Sequence, residues 1–307
     1  MEVLSQTLPF FALMAFGYGA ARSGFFNEEA TAALTKFVFY FALSAMLFGF
    51  AATLDLAEAL NPRLGIAYLA SLIAVYLVAT VTAKMRGRGL DEIAVESQLA
   101  CIGNNGFLAI PLLLLVLGEA AIPSLLFMLS IDLLIFSSLI VILITVAKEG
   151  RITAQALGRV GMGVLKNPMI VSMGLGLIVA MSQIPLPQPA WDFLDILGAA
   201  ATPCALFAIG ASLAARSAET WVVPAWLSFL KLIVHPALAL LFAKLFDLPP
   251  AIAAVMIATA AMPTAGNIYI IAASYNVAPQ RASATILISH IGAVITLTAI
   301  LAWVVQW

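Results

Sequence analysis

The chain has 307 residues, 64% of them hydrophobic and only 9% charged, with a formal net charge of -1. Its mean hydropathy is +1.10. These values exclude a soluble globular domain and a general nucleic-acid-binding role, and they define a polytopic membrane protein. Cys101 and Cys204 both fall in apolar runs, so no disulfide framework is implied. No C-x-x-C or His/Cys cluster suggests a metal site. From Met1-Glu2 the chain enters an apolar run without a basic n-region or a small-residue cleavage site, which reads as a retained first helix rather than a signal peptide.

Ten apolar segments follow in chain order, each about as long as the ~20 residues that cross the hydrocarbon core. They run over 3–21, 32–54, 64–83, 93–117, 121–147, 168–187, 190–215, 222–246, 248–276 and 282–305. Ten spans place both termini on one side, and the basic residues indicate which. With the termini outside, the inner loops and flanks hold Arg22, Lys36, Lys84, Arg86, Arg88, Lys148, Arg151, Arg159, Lys166, Arg216 and Arg281. The outer ones hold only Arg63 and Lys244, alongside the acidic Asp55, Glu58, Glu119, Asp192 and Asp247. The expected orientation therefore has periplasmic or extracellular termini and a cytoplasmic loop over 148–166. That loop carries a basic, partly amphipathic run suited to the inner leaflet.

Two of the segments are interrupted by residues that disfavour a helix interior. The fourth contains Gly103-Asn104-Asn105-Gly106 followed by Pro111, and the ninth contains Met262-Pro263-Thr264-Ala265-Gly266-Asn267. A break at membrane depth is tolerated only where it is buried in protein or lines a cavity. Each break leaves two half-helices, whose N-termini favour an anion and whose C-terminal carbonyls favour a cation. Asn104, Asn105, Gly106 and Pro111 in one break, and Pro263, Thr264, Gly266 and Asn267 in the other, are the expected substrate-binding positions. The alternative is a pair of packing kinks in which the asparagines join helices.

The breaks belong to a weak internal repeat. An offset of 159 residues aligns Pro9 with Pro168, Gly17 with Gly176, Leu47-Phe48 with Leu206-Phe207, and Leu54 with Leu213. An offset of 160 to 162 superposes the two breaks. Five spans per half require the second half to be inverted in the membrane, and paired breaks in inverted halves are the best sequence pointer to a transporter site. The expected organisation is a first five-helix repeat over 1–147, a cytoplasmic linker over 148–166, and a second, inverted repeat over 167–307. The fold class is an all-α membrane protein with broken helices 4 and 9 crossing near the midplane.

Ionisable residues inside the bilayer suggest function by default. Asp132 lies near the middle of the fifth segment, as a proton carrier or coupling-cation ligand, or else as a carboxyl hydrogen-bonded to a neighbouring helix. Lys231 pairs with Asp132 or with substrate, or snorkels to the inner surface. His235 precedes Pro236 and suits the carbonyl that the proline frees. His290 either titrates near neutral pH or joins two helices. Ser44, Thr202 and Pro203 line a cavity or act as polar glue. Glu96 and Gln98 form an inner vestibule or a solvated helix start.

The run Gly-Asn-Asn-Gly-Phe-Leu-Ala-Ile-Pro over 103–111 resembles the fourth-span motif of the auxin efflux carrier family. Ala-Met-Pro-Thr-Ala-Gly-Asn over 261–267, with Tyr275 downstream, is similar to that family's ninth-span motif. The segment from Lys231 to Pro236 is similar to one common in its bacterial members. The resemblance covers all ten spans. It implies two inverted five-span repeats, a fold shared with bile-acid sodium symporters and sodium/proton antiporters, and residence in the inner membrane of a bacterium. Asn105 and Asn267 match the crossover asparagines, and Pro111 and Pro263 the crossover prolines. The bacterial members are mostly assigned to malonate, malate or related organic anions, the plant members export auxin, and the plant members imply a homodimer. Plant carriers have a carboxylate in the third span near the crossover; here 64–83 contains none.

The expected function is secondary active transport of a small organic anion by alternating access. Its partners are that anion and membrane lipid, with no nucleic acid and no cofactor beyond a coupling Na+ or H+, for which Asp132, Lys231 and His290 are the candidates. The alternative is a sodium-coupled symporter of a bile-acid-like amphipathic anion. An enzyme is not expected: the chain lacks H-E-x-x-H, G-x-S-G and a mid-span acidic partner for Asp132. ATP drive lacks a Walker A motif, and an open channel lacks a filter sequence.

Overall fold

The computed structural model describes residues 2–54, 61–150, 154–183, 185–214 and 221–306. Asp55, Glu58, Arg151 and Arg216, four of the charges used for sidedness, lie outside the described residues. Among the described residues, the regular structure is helical apart from one isolated β-bridge.

The helices are α1 (Glu2–Arg22), α2 (Glu28–Ala52), α3 (Pro62–Met85), α4 (Leu90–Cys101), α5 (Asn105–Leu117) and α6 (Glu119–Lys148). After them come α7 (Ala154–Lys166), α8 (Pro168–Ser182), α9 (Gln188–Ala214) and α10 (Val222–Leu245). The last are α11 (Pro250–Ala260), α12 (Asn267–Ser274) and α13 (Pro279–Val304). Six of these, α2, α3, α6, α9, α10 and α13, are long and apolar enough to cross a membrane. The predicted segments 93–117 and 248–276 are each two helices, α4 with α5 and α11 with α12, divided at the polar interruptions. The segment predicted over 168–187 ends early, at Ser182. There Gln183 takes the left-handed conformation at φ 52°, and Pro185 and Pro187 follow.

The chain forms two compact units. One comprises Met1–Asn61, Gly106–Leu126 and Leu165–Ala215; the other comprises Pro62–Asn105, Phe127–Val164 and Arg216–Trp307. Each unit draws helices from both sequence halves.

In the first unit, glycines permit two close helix crossings. A side chain at Gly17 on α1 would strike the carbonyl of Phe207 on α9, and one at Gly176 on α8 would strike the carbonyl of Phe48 on α2. These are the residues that the 159-residue offset pairs, Gly17 with Gly176 and Phe48 with Phe207. Gly210 on α9 makes the α1 crossing tighter still, lying against the Met14 carbonyl. Small residues at such crossings let backbones approach where lipid offers no hydrophobic drive for association.

In the second unit, charges gather at one end of α3, α4 and α13. Glu96 is fully buried between Arg86, which it contacts closely, and Arg281 at 2.6 Å. Arg281 also reaches Glu92 at 3.1 Å, and Arg88 reaches it at 3.4 Å. Glu96 is therefore not part of a solvated helix start, because two guanidinium groups replace water around it. Lys148 donates to the Tyr275 carbonyl, and Trp226 Nε1 donates to Thr82 Oγ1 at 3.2 Å. All of these contacts join residues that the charge pattern places on one face.

The α1–α9 crossing makes a direct expectation. Gly17→Ala should destabilise the protein by about 1–3 kcal/mol, the usual cost of forcing atoms into a filled contact. Gly19→Ala, which meets open space, should stay within about 0.5 kcal/mol of wild type. Thermal unfolding of the two purified variants checks the contrast.

Candidate functional site

The two interruptions meet, and their backbones hydrogen-bond to each other. Gly103 and Thr264 form an antiparallel bridge. Asn104 N–H donates to Pro263 O at 2.8 Å, and Ala265 N–H donates to Ile102 O at 3.1 Å. Unmade backbone bonds at membrane depth cost several kcal/mol each, and this exchange satisfies the groups that the helix breaks release. Gly103 is required at the bridge: a Cβ there would stand 2.9 Å from Asn105 Oδ1, 3.1 Å from Met262 Cβ and 3.3 Å from Lys231 Cε.

Side chains finish the half-helix ends. Thr264 is fully buried and donates through Oγ1 to Leu99 O in the last turn of α4 at 3.0 Å, while its N–H reaches Ser289 Oγ on α13 at 3.1 Å. Lys231 on α10 donates from Nζ to Ala260 O, the last residue of α11. An ammonium at that point faces the negative end of the helix dipole. Lys231 is 0% exposed, so it does not snorkel to the inner surface. His235 Nδ1 lies 3.0 Å from Lys231 Nζ, and its Nε2 is buried without a partner. The imidazole thus serves the lysine rather than a proline-freed carbonyl. His290 Nδ1 faces Ile286 O in its own helix at 2.8 Å.

Asp132 projects from α6 to the same place and is 3% exposed. Its carboxylate accepts from Asn105 Nδ2 and from Tyr68 Oη on α3, the latter at 3.1 and 3.2 Å to its two oxygens. Asn105 Nδ2 also donates to Tyr68 Oη at 3.2 Å, and Asn105 Oδ1 is buried without a partner. The third span, which has no carboxylate of its own, supplies a hydroxyl to a carboxylate from the fifth. Tyr68 is not marked by the sequence patterns above. The available signal was that a tyrosine hydroxyl in an apolar run needs a polar partner.

The backbone is widened where these groups sit. Five-residue π-helical turns span Val38–Ala42, Asn105–Ala109, Asp132–Phe136 and Leu230–Val234. Two of them immediately precede the residue before Pro111 and Pro236, where the ring needs room and an N–H is missing. Ser44 Oγ donates to Phe39 O at 3.0 Å and Ser137 Oγ to Asp132 O at 3.2 Å, each serving a carbonyl inside or at the edge of a widened turn.

The predicted substrate positions divide. Asn104, Asn105, Gly106, Pro111, Pro263 and Thr264 are buried; Gly266 is half-buried, and Asn267, the first residue of α12, is exposed. Asn105 holds Asp132 and Thr264 holds the end of α4, so both side chains are engaged within the protein. Among the described residues, no cluster of His, Cys, Asp and Glu could hold a metal ion.

Broken apolar helices that meet at a polar, charge-bearing crossing define a membrane transport protein. The chain belongs to the auxin efflux carrier-like membrane transport protein family, which it matches over residues 2–301. It is 31% identical over 316 residues to a protein of Rhizobium meliloti (strain 1021) named "Putative malonate transporter", covering 98% of this chain and 95% of that one. It is 26% identical over 306 residues to "Uncharacterized transporter YfdV" of Escherichia coli (strain K12), covering 95% of each.

The side-chain caps can be separated from ordinary helix bonds. Thr264→Val should cost about 1–3 kcal/mol, because Leu99 O loses its donor in a buried site. Thr259→Val, which removes only a bond to the helix's own Val255 O, should cost less than half as much. Unfolding of both variants in detergent checks this.

Proposed function

We propose that the protein is a secondary carrier of a small carboxylate, with malonate and its close analogues the first substrates to test. The observation that carries this reading is the near full-length relationship to the protein named "Putative malonate transporter". The paired helix breaks support it physically.

In this reading the chain is built from ten spans in two inverted repeats. The reciprocal Gly17–Phe207 and Gly176–Phe48 contacts are what such a repeat would generate. Both termini lie outside and the loop over 148–166 lies in the cytoplasm of a bacterial cell. The carboxylate is held near the start of α12, where Asn267 is exposed, Gly266 is half-buried and a helix N-terminus favours an anion. Asn105, Thr264 and Pro263 maintain the crossover that positions this helix start. Asp132 is the coupling group. Alternating access opens this site in turn to each side of the membrane.

The test is thermal stabilisation of the purified protein by a panel of mono- and dicarboxylates, since a ligand that binds the folded state raises apparent stability by mass action. Malonate or a near analogue is expected to raise the unfolding temperature, and Asn267→Ala to reduce that shift at least tenfold in ligand potency while leaving the ligand-free melt unchanged. Stabilisation by bile-acid-like amphiphiles alone, with none from small carboxylates, would overturn the substrate assignment.

A further inference from the structure

The second unit carries one backbone turn twice. α3 ends at Met85 and α4 starts at Leu90; 160 residues further on, α10 ends at Leu245 and α11 starts at Pro250. In the first turn Gly87 N–H donates to Lys84 O at 2.9 Å and Arg88 N–H to Ala83 O at 3.2 Å. In the second, Asp247 N–H donates to Lys244 O at 3.2 Å and Leu248 N–H to Ala243 O at 2.9 Å. This pair of bonds closes a helix through one residue in the left-handed conformation, here Gly87 at φ 71° and Asp247 at φ 50°. Glycine meets no steric penalty in that conformation. An aspartate does, and it sets a charge at the turn.

The two turns handle charge differently. In the first, Arg86 contacts Glu96, and Arg88 reaches Glu92 at 3.4 Å. In the second, Lys244 and Asp247 are exposed, and neither side chain makes an ion pair or a hydrogen bond with a described residue. Both line a groove of about 350 Å3, whose apolar walls include Leu240 and Ala243 on α10 and Ala253 on α11. α10 is long and apolar enough to cross a membrane, so its end at Leu245 lies near the boundary of the hydrocarbon. Leu240 sits about 7 Å deeper along the helix, at ~1.5 Å of rise per residue. The groove therefore runs from the level of lipid headgroups to the level of the first acyl methylenes.

An occupant of this groove meets one positive and one negative group above an apolar wall. A simple anion satisfies Lys244 and is repelled by Asp247. A hydrocarbon alone leaves both charges unanswered. We propose that the groove binds a phospholipid whose headgroup carries both a phosphate and a primary ammonium, of which phosphatidylethanolamine is the simplest. Lys244 and the start of α11, where the helix dipole is positive, take the phosphate. Asp247 takes the ammonium, which donates hydrogen bonds to its carboxylate. Leu240, Ala243 and Ala253 take the first methylenes of an acyl chain. In the orientation proposed above, this lipid belongs to the outer leaflet. The inference does not rest on the carboxylate-carrier reading.

The experiment is thermal unfolding of the purified, delipidated full chain in detergent, titrated with phosphatidylethanolamine, phosphatidylglycerol or phosphatidylcholine of identical acyl chains, and with glycerophosphoethanolamine as the soluble headgroup. Phosphatidylethanolamine is expected to raise the unfolding temperature, with half its effect at a concentration about fivefold below that of the other two lipids. Phosphatidylglycerol offers Asp247 no cation, and the quaternary ammonium of phosphatidylcholine has no N–H to donate. The soluble headgroup should give no shift over the same range. Asp247→Gly, which installs the residue of the equivalent turn, is expected to melt no lower than wild type without lipid and to lose the preference for phosphatidylethanolamine. Asp247→Asn, which also tolerates the left-handed conformation, should lose it likewise. Lys244→Gln should weaken the response to all three lipids. Equal stabilisation of wild type by the three lipids, a preference that survives in both Asp247 variants, or a shift from the soluble headgroup as large as from the lipid would overturn the inference. So would a wild-type dimer, seen by light scattering, that Lys244→Gln dissociates while the lipid response is unchanged, because a second copy would then occupy the groove. Each of these results leaves the carrier reading intact.

Discussion

A polypeptide that leaves helical geometry inside hydrocarbon must find new partners for the backbone groups it releases. Here two chain segments, 161 residues apart in sequence, provide them for each other through the bridge between Gly103 and Thr264. Two reciprocal backbone bonds, the Thr264 hydroxyl on Leu99 O and the Lys231 ammonium on Ala260 O complete the arrangement. Most of the polar chemistry in the second unit's interior is organised around this junction. Asn105 leaves the bridge to hold Asp132, Ser289 reaches it from α13, and the widened turns at Asp132 and Lys231 place their side chains toward it. The bridge also explains the glycine: only a residue without a Cβ leaves room for Asn105, Met262 and Lys231 to converge.

The same junction concentrates electrostatics. The C-terminal ends of α4 and α11 carry partial negative charge, and a buried lysine answers it. The buried carboxylate of Asp132 is held in turn by Asn105 and Tyr68, since an isolated ion of either sign would be costly. The site is thus balanced by two side chains from different helices, α6 and α10, rather than by solvent.

Much of the fold was legible in the sequence. Hydropathy located the long apolar helices to within a few residues, because a membrane helix needs both length and apolarity, and Gly, Pro and Asn clusters marked where 93–117 and 248–276 divide; α7 lies where a loop over 148–166 was expected. The 159-residue offset, read from a few identities, recurs as reciprocal glycine–carbonyl contacts, since close helix crossings demand small residues at fixed positions. The interior of the site was less legible. That Asn105 turns toward Asp132, that Lys231 caps α11, and that Tyr68 supplies a hydroxyl from α3 all depend on which helices become neighbours. Periodicity does not carry that information. The early end of α8 at Ser182 was hidden for a different reason, since residues 183–187 are apolar enough to extend a hydropathy window but contain two prolines.

The central claim is that this crossover serves the movement of a small carboxylate across a membrane. The most direct measurement is counterflow of radiolabelled malonate into proteoliposomes that contain the purified protein and are preloaded with unlabelled malonate. The account predicts saturable, protein-dependent accumulation of label that is lost when unlabelled malonate is omitted from the lumen in the absence of an ion gradient. Accumulation no greater than in protein-free liposomes, for malonate and for every other small carboxylate tested, would contradict it.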